Sequence, residues 1–257
     1  MGMLRIATVL STALAAGFTG AASADYQYGF GNISINRLDW SSGTESRSGK
    51  KDFTYLELEG GAGFDWGEIY GFADLENPHK NNKEDDGDGR RTALKGTIRY
   101  YLGQTGFNLY GHIYDTDSHG FSEQNRLLGV GYNYQNADFF WKPFLAVNNT
   151  NKTGFSGFNG YVAGWVLGYN FKLFDQSMML TNWHEYEFDR DDKYHMSFKD
   201  GQPVSGSGTK SGTNGAVALW WNATKEITAG IQYRYADDKL GSNSYQNAMI
   251  YSLRYNF

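Results

Sequence analysis

The last thirteen residues, 245–257, read Y-Q-N-A-M-I-Y-S-L-R-Y-N-F. Tyr245, Asn247, Met249, Tyr251, Leu253, Tyr255 and Phe257 fall on one face. Gln246, Ala248, Ile250, Ser252, Arg254 and Asn256 fall on the other. Period-two alternation over this length fits a tilted strand able to cross a bilayer. A sheet in water can also hold such a strand, so the pattern becomes a template against which the rest of the chain is tested.

Near the start, Arg5 precedes a stretch from Ile6 to Phe18 that is apolar except for small polar residues. Ala22-Ser23-Ala24 then supplies a small-x-small cleavage pattern, so residues 1–24 are expected to be a secretory signal peptide and 25–257 the mature single domain. No later segment approaches eighteen uninterrupted apolar residues, which excludes helical spans there. The 19 Tyr, 17 Phe, 7 Trp and 33 Gly, beside 3 Pro, favour strands and tight turns. With no Cys, disulfides and thiolate chemistry are excluded. A net charge of −5 and the lack of a Lys/Arg stripe argue against a nucleic-acid partner.

The alternation template finds twelve strands: Tyr26–Asp39, Phe53–Phe64, Glu68–Leu75, Thr92–Tyr101, Phe107–Asp115, Gln124–Tyr134, Phe139–Asn148, Gly157–Phe171, Gln176–Phe188, Thr213–Trp221, Glu226–Tyr235 and Tyr245–Phe257. Their connections alternate in length. Those at 65–67, 102–106, 135–138, 172–175 and 222–225 are short, whereas 40–52, 76–91, 116–123, 149–156, 189–212 and 236–244 are mostly longer and more polar. Short turns at one end and long loops at the other describe an all-β, twelve-stranded antiparallel transmembrane barrel of the bacterial outer membrane.

Strand parity assigns the faces. Leu56, Leu58, Ile69, Leu94, Ile98, Leu167 and Ile231 point to lipid, with Phe139, Phe171, Trp221, Tyr233, Tyr235 and Tyr255 as interfacial rings near strand ends. Glu57, Glu59, Asp74, Glu185 and Glu187 point inward, as do Lys95, Arg99, Lys142, Arg234 and Arg254. A charge on lipid costs about 2–4 kcal/mol at the midplane, whereas a wet lumen tolerates it. These groups either pair across strands to brace the interior or line an aqueous path, and mixed signs suit a neutral polar solute. Tyr55, Tyr70, Phe72, Tyr110, Tyr114, Phe140, Phe144 and Trp183 are also inward, where rings either fill space or stack on a flat solute.

Catalysis and metal binding find little support. His112 and His184 are assigned inward, but no local motif joins either to a nucleophile such as Ser177. The acidic run at 84–89 lacks the spacing and terminal Glu of a calcium loop. No catalytic residue, cofactor or metal ligand is expected.

Tyr55-Leu56-Glu57-Leu58-Glu59 followed by Asp65-Trp66-Gly67-Glu68-Ile69-Tyr70-Gly71-Phe72-Ala73-Asp74 resembles the start of the nucleoside-specific outer-membrane channel family, the Tsx/OmpK-like porins. Gly129-Val130-Gly131-Tyr132, the segment Trp183 to Phe188 and the closing Tyr255-Asn256-Phe257 extend the likeness. The resemblance implies a monomeric twelve-stranded channel for passive diffusion of nucleosides, with Glu57, Glu59, Tyr70, Phe72 and Asp74 at motif positions. The expected channel lining is Tyr55, Glu57, Glu59, Tyr70, Phe72, Asp74, Lys95, Arg99, Tyr110, Trp183, Glu185, Arg234 and Arg254. Expected partners are outer-membrane lipid and lipopolysaccharide, a nucleoside-like solute, the outer-membrane assembly machinery, and phage at the extracellular loops. The alternatives are a general small-solute porin, a structural or phage-receptor barrel, and an outer-membrane hydrolase. The loop 189–212 is expected to be either a plug or an exposed surface.

Overall fold

The computed structural model describes residues 24–81, 89–195, 197–199, 202–204, 209–240 and 242–257. The expected leader, apart from Ala24, and the acidic run apart from Gly89 lie outside the described residues. Among the described residues twelve strands close into one antiparallel barrel. They are β1 (Tyr26–Trp40), β2 (Phe53–Phe64), β3 (Gly67–Glu76), β4 (Arg91–Tyr101), β5 (Phe107–Ser118) and β6 (Phe121–Tyr132). The second half is β7 (Phe139–Lys152), β8 (Phe155–Leu173), β9 (Gln176–Phe188), β10 (Gly212–Asn222), β11 (Ile227–Asp237) and β12 (Gln246–Asn256). Each strand pairs with its sequence neighbours, and β12 closes on β1 with Ser34 opposite Arg254. The Phe257 amide donates to the Gly31 carbonyl at 3.0 Å, which extends that seam past the last strand residue.

Alternation holds around the wall. Leu128 is 68% exposed on the outside, whereas Ala146, on the inner face of the neighbouring strand, is 2% exposed. Ile33, Ile35, Val130, Leu145 and Leu253 continue the outer apolar belt. No helix among the described residues is long and apolar enough to cross a membrane.

Two connections differ from the sequence expectation. The polar segments 116–123 and 149–156 are tight hairpins, turning at His119-Gly120 and Thr153-Gly154 with Gly120 at φ 72° and Gly154 at φ 83°. The strands simply continue beyond the apolar belt, and β8 reaches 19 residues. In that extension both faces meet polar surroundings, so alternation in hydropathy fades while the ladder persists. Gln124 donates to Asp115 at 2.8 Å and Arg126 to Gln124 at 2.6 Å on its outer side.

The connection 40–52 holds a helix, α1 (Ser42–Ser48). Ser41 caps it by accepting from the Thr44 amide at 3.2 Å, and Gly49 ends it at φ 65°. Thr44 is buried and donates to the Asn247 carbonyl at 3.2 Å, tying the helix to β12. Beyond α1 the Lys50 amine donates to the Leu240 carbonyl at 2.7 Å.

Candidate functional site

The lumen is crossed by three tiers of side-chain contacts. In the periplasmic half, Glu68 on β3 receives Lys142 from β7 at 2.5 Å and Arg99 from β4 at 3.5 Å. Tyr28 and Tyr101 hydroxyls donate to the same carboxylate at 3.0 and 3.3 Å. Because β3 and β7 are separated by three strands, the Lys142–Glu68 pair runs across the interior instead of along the wall. Arg99 passes over the face of Tyr110 at 4.7 Å and donates to the Lys142 carbonyl at 2.9 Å. Gly131 leaves room for that crossing, since a Cβ there would lie 2.5 Å from the guanidinium. Tyr110 in turn stacks on Phe144 at 4.3 Å, so this tier is packed and braced.

Around mid-barrel, Arg254 reaches over the small Ser34 of β1 to Glu59 at 3.4 Å and Glu57 at 3.8 Å on β2. Its guanidinium sits on Trp220 at 3.7 Å, whose ring lies over Gly230. Glu59 also accepts from the Tyr70 hydroxyl at 2.7 Å and from Asn32 at 3.0 Å. Tyr70, Phe72 and Tyr114 form an edge-to-face series with 6.5 Å between successive ring centres. Lys95 on β4 pairs with Glu185 on β9 at 3.3 Å. Those strands are five steps apart by the shorter route around the barrel, so this contact nearly spans a diameter. Trp183 lies beside it, with Lys95 at 5.9 Å and Arg234 at 4.8 Å from its ring.

At the extracellular mouth Glu187 holds both Arg190, at 2.9 Å, and Lys239. Arg190 is 2% exposed and donates to the carbonyls of Asp238 at 2.8 Å and Ser211 at 3.2 Å. The Tyr194 hydroxyl donates to Glu123 at 3.1 Å, and Lys152 lies over its ring at 3.7 Å. Burial pushes the Tyr194 phenol well above its ordinary range. Burial opposes the Lys239 charge, but Glu187, Tyr194 and Glu123 together hold its amine above its ordinary value. The first turn of the loop 189–212 thus folds against inward-facing groups. Side chains 195–208 of that loop lie outside the described residues.

All thirteen expected lining residues face inward. Glu57, Glu59, Tyr70 and Arg254 meet in one cluster, with Asp74 opposite Glu57 in the register, while Lys95, Trp183, Glu185 and Arg234 meet in another. Phe72 adjoins the first through Tyr70. Arg99 and Tyr110 belong to the packed lower tier, and Tyr55 joins an apolar cluster with Leu38, Trp40, Phe53, Ala248 and Ile250. His184 is a correction. It shares parity with Tyr186, not with Glu185, and stands on the outer wall, stacked on Trp165 at 4.6 Å and bonded to the Tyr235 hydroxyl at 2.8 Å. His112 does face inward and bonds the Tyr110 hydroxyl at 3.0 Å. Sequence reasoning passed over Glu68 and Trp220 as site members. Glu68 was legible from its parity with Tyr70, Phe72 and Asp74, whereas the Trp220–Arg254 contact needs the register across Gly230.

A closed barrel with a lipid-facing belt and a charged, ring-lined interior defines a multi-pass outer-membrane channel for small solutes. The sequence model of the nucleoside-specific channel-forming protein Tsx matches residues 35–257, and the chain belongs to that family. In fold it is similar to the NanC porin, at 11% identity over 87% of this chain and 98% of that one, with a TM-score of 0.51. A KdgM porin is similar at 10% identity over 88% and 99%, with a TM-score of 0.48.

Proposed function

We propose that nucleosides cross this channel by passive diffusion, recognised by rings and ionisable groups around mid-barrel. The observation that carries this reading is the Tyr70–Phe72–Tyr114 series beside the Lys95–Glu185 bridge. A nucleobase has two flat faces for such rings, and its polar edge and ribose hydroxyls suit the neighbouring carboxylates and cations. A solute passes by replacing one partner of a cross-lumen ion pair with its own hydrogen bonds, and the pair re-forms behind it. Each site must hold the solute weakly, because a deep well slows exit.

The working lining in this reading is Tyr55, Glu57, Glu59, Tyr70, Phe72, Asp74, Lys95, Trp183, Glu185, Arg234 and Arg254, with Arg99 and Tyr110 bracing the lower tier. Transport requires no catalytic group and no cofactor. Residues 1–24 are removed on export, the outer-membrane assembly machinery inserts the barrel, and 25–257 works as a single-domain monomer. Its rim meets lipopolysaccharide, and its extracellular loops offer a phage surface. Replacing Tyr70 and Phe72 together by Ala lowers adenosine flux into proteoliposomes without closing the pore to ions. Adenosine flux and nucleoside block of ion current both unchanged in that variant would refute the proposal.

A further inference from the structure

Two polar groups on the lumenal wall are left unused by the protein. Arg234 lies on the face of Trp183 at 4.8 Å and has no carboxylate or hydrogen-bond acceptor among the described residues. Lys95, Arg99, Lys142 and Arg254 each hold a carboxylate. Stacking on an indole fixes the plane of a guanidinium and leaves its donor edges free. The second group is Asp74. Its Oδ1 is buried and has no hydrogen-bond partner among the described residues. As a carboxyl oxygen it offers an acceptor.

Asp74 follows Phe72 on the inner face of β3, Phe72 lies opposite Lys95 in the register, and Lys95 and Arg234 lie 5.9 and 4.8 Å from the Trp183 ring, so these groups share one stretch of the lumen. Phe72 stands edge-on to Tyr114 at 6.5 Å. This stretch therefore offers a planar donor fork and a separate acceptor among aromatic faces. A free anion would also suit Arg234. It is disfavoured here because Glu57 and Glu59 share a single cation, Arg254.

Resting on the nucleoside reading above, we infer that Arg234 is a specificity-determining residue and that the channel favours 6-oxopurine nucleosides, inosine and guanosine, over adenosine. A 6-oxopurine sets two acceptors, O6 and N7, side by side, the bidentate complement of an Arg fork. Its N1–H, with the N2 amine in guanosine, is a donor matched to the free Asp74 oxygen. Adenine places an amine donor beside N7 and an acceptor at N1, so both groups meet the wrong partner.

The test is nucleoside block of ion current through the purified protein in planar bilayers. Inosine is expected to block at a concentration about fivefold or more below that of adenosine, the lower end of discrimination for a bidentate pair. Arg234→Gln, whose amide complements adenine N6 and N7, reverses the order. Arg234→Lys keeps the charge, loses the fork and brings the ratio near one. Heat-modifiable gel migration reports folding of each variant, and should Arg234→Gln not fold, the wild-type ratio and Arg234→Lys decide the matter. Equal block by inosine and adenosine in the wild type, or an unchanged preference in the folded variants, overturns the inference while leaving nucleoside passage intact. Absence of block by any nucleoside overturns the underlying reading, and this inference with it.

Discussion

The Lys95–Glu185 contact is the sharpest place to perturb the lumen, because its two ends come from nearly opposite walls. At 3.3 Å the charges almost cancel for a passing ion, and the side chains, 17% and 16% exposed, obstruct the path. Glu185→Ala leaves Lys95 uncompensated. A unit charge about 5 Å from a passing ion contributes about 0.8 kcal/mol in water, and screening at about 0.1 M salt reduces this to about 0.5 kcal/mol. That favours anions roughly twofold and disfavours cations roughly twofold, so the anion-to-cation permeability ratio rises about fivefold. Lys95→Ala moves the ratio the other way by a similar factor. The double variant returns near the wild-type ratio with a larger conductance, because the obstruction is gone and the charges are balanced. Reversal potentials in a salt gradient and single-channel conductance read both quantities. Two single variants shifting in the same direction, or a double variant with unchanged conductance, would refute a cross-lumen bridge.

Other perturbations report on the surroundings of that bridge. Glu187→Gln strips the mouth of the carboxylate shared by Arg190 and Lys239, and loss of a buried partner costs about 3 kcal/mol, to be read as a lower urea midpoint of vesicle-embedded protein. His184→Phe, on the outer wall, leaves conductance and nucleoside block at wild-type values, and a clear change in either contradicts its placement. Burial pushes the Lys50 amine down to about 8 from 10.5, so the unfolded segment binds more protons between those values. Protease protection of 41–52 is therefore expected to increase as pH rises from 8 to 10.5, and a decrease would contradict burial of the Lys50 amine.

The barrel was legible in the sequence because a two-residue period marks each strand and lipid enforces it. Ile69, Gly71 and Ala73 cannot exchange faces with Tyr70, Phe72 and Asp74 without placing a carboxyl in hydrocarbon. The same logic found the inward charges. It lost force above the membrane, where Thr116, Asp117 and Ser118 are polar on both faces and read as loop although the ladder continues through them. His184 was misplaced for a different reason. Its neighbours Trp183 and Glu185 define the inner face, so an outward His is polar against the trend, and only its bond to Tyr235 and stacking on Trp165 explain it. Contacts across the lumen, such as Lys142–Glu68 and Lys95–Glu185, depend on which strands face one another after closure. Alternation along one strand carries no information about that.

Whether the lumen recognises nucleosides is read from single-channel recording with and without added nucleoside. Nucleosides are expected to reduce the ion current saturably and reversibly, with no comparable effect from the same concentration of free ribose. An ion current unaffected by every nucleoside across the soluble range would contradict it.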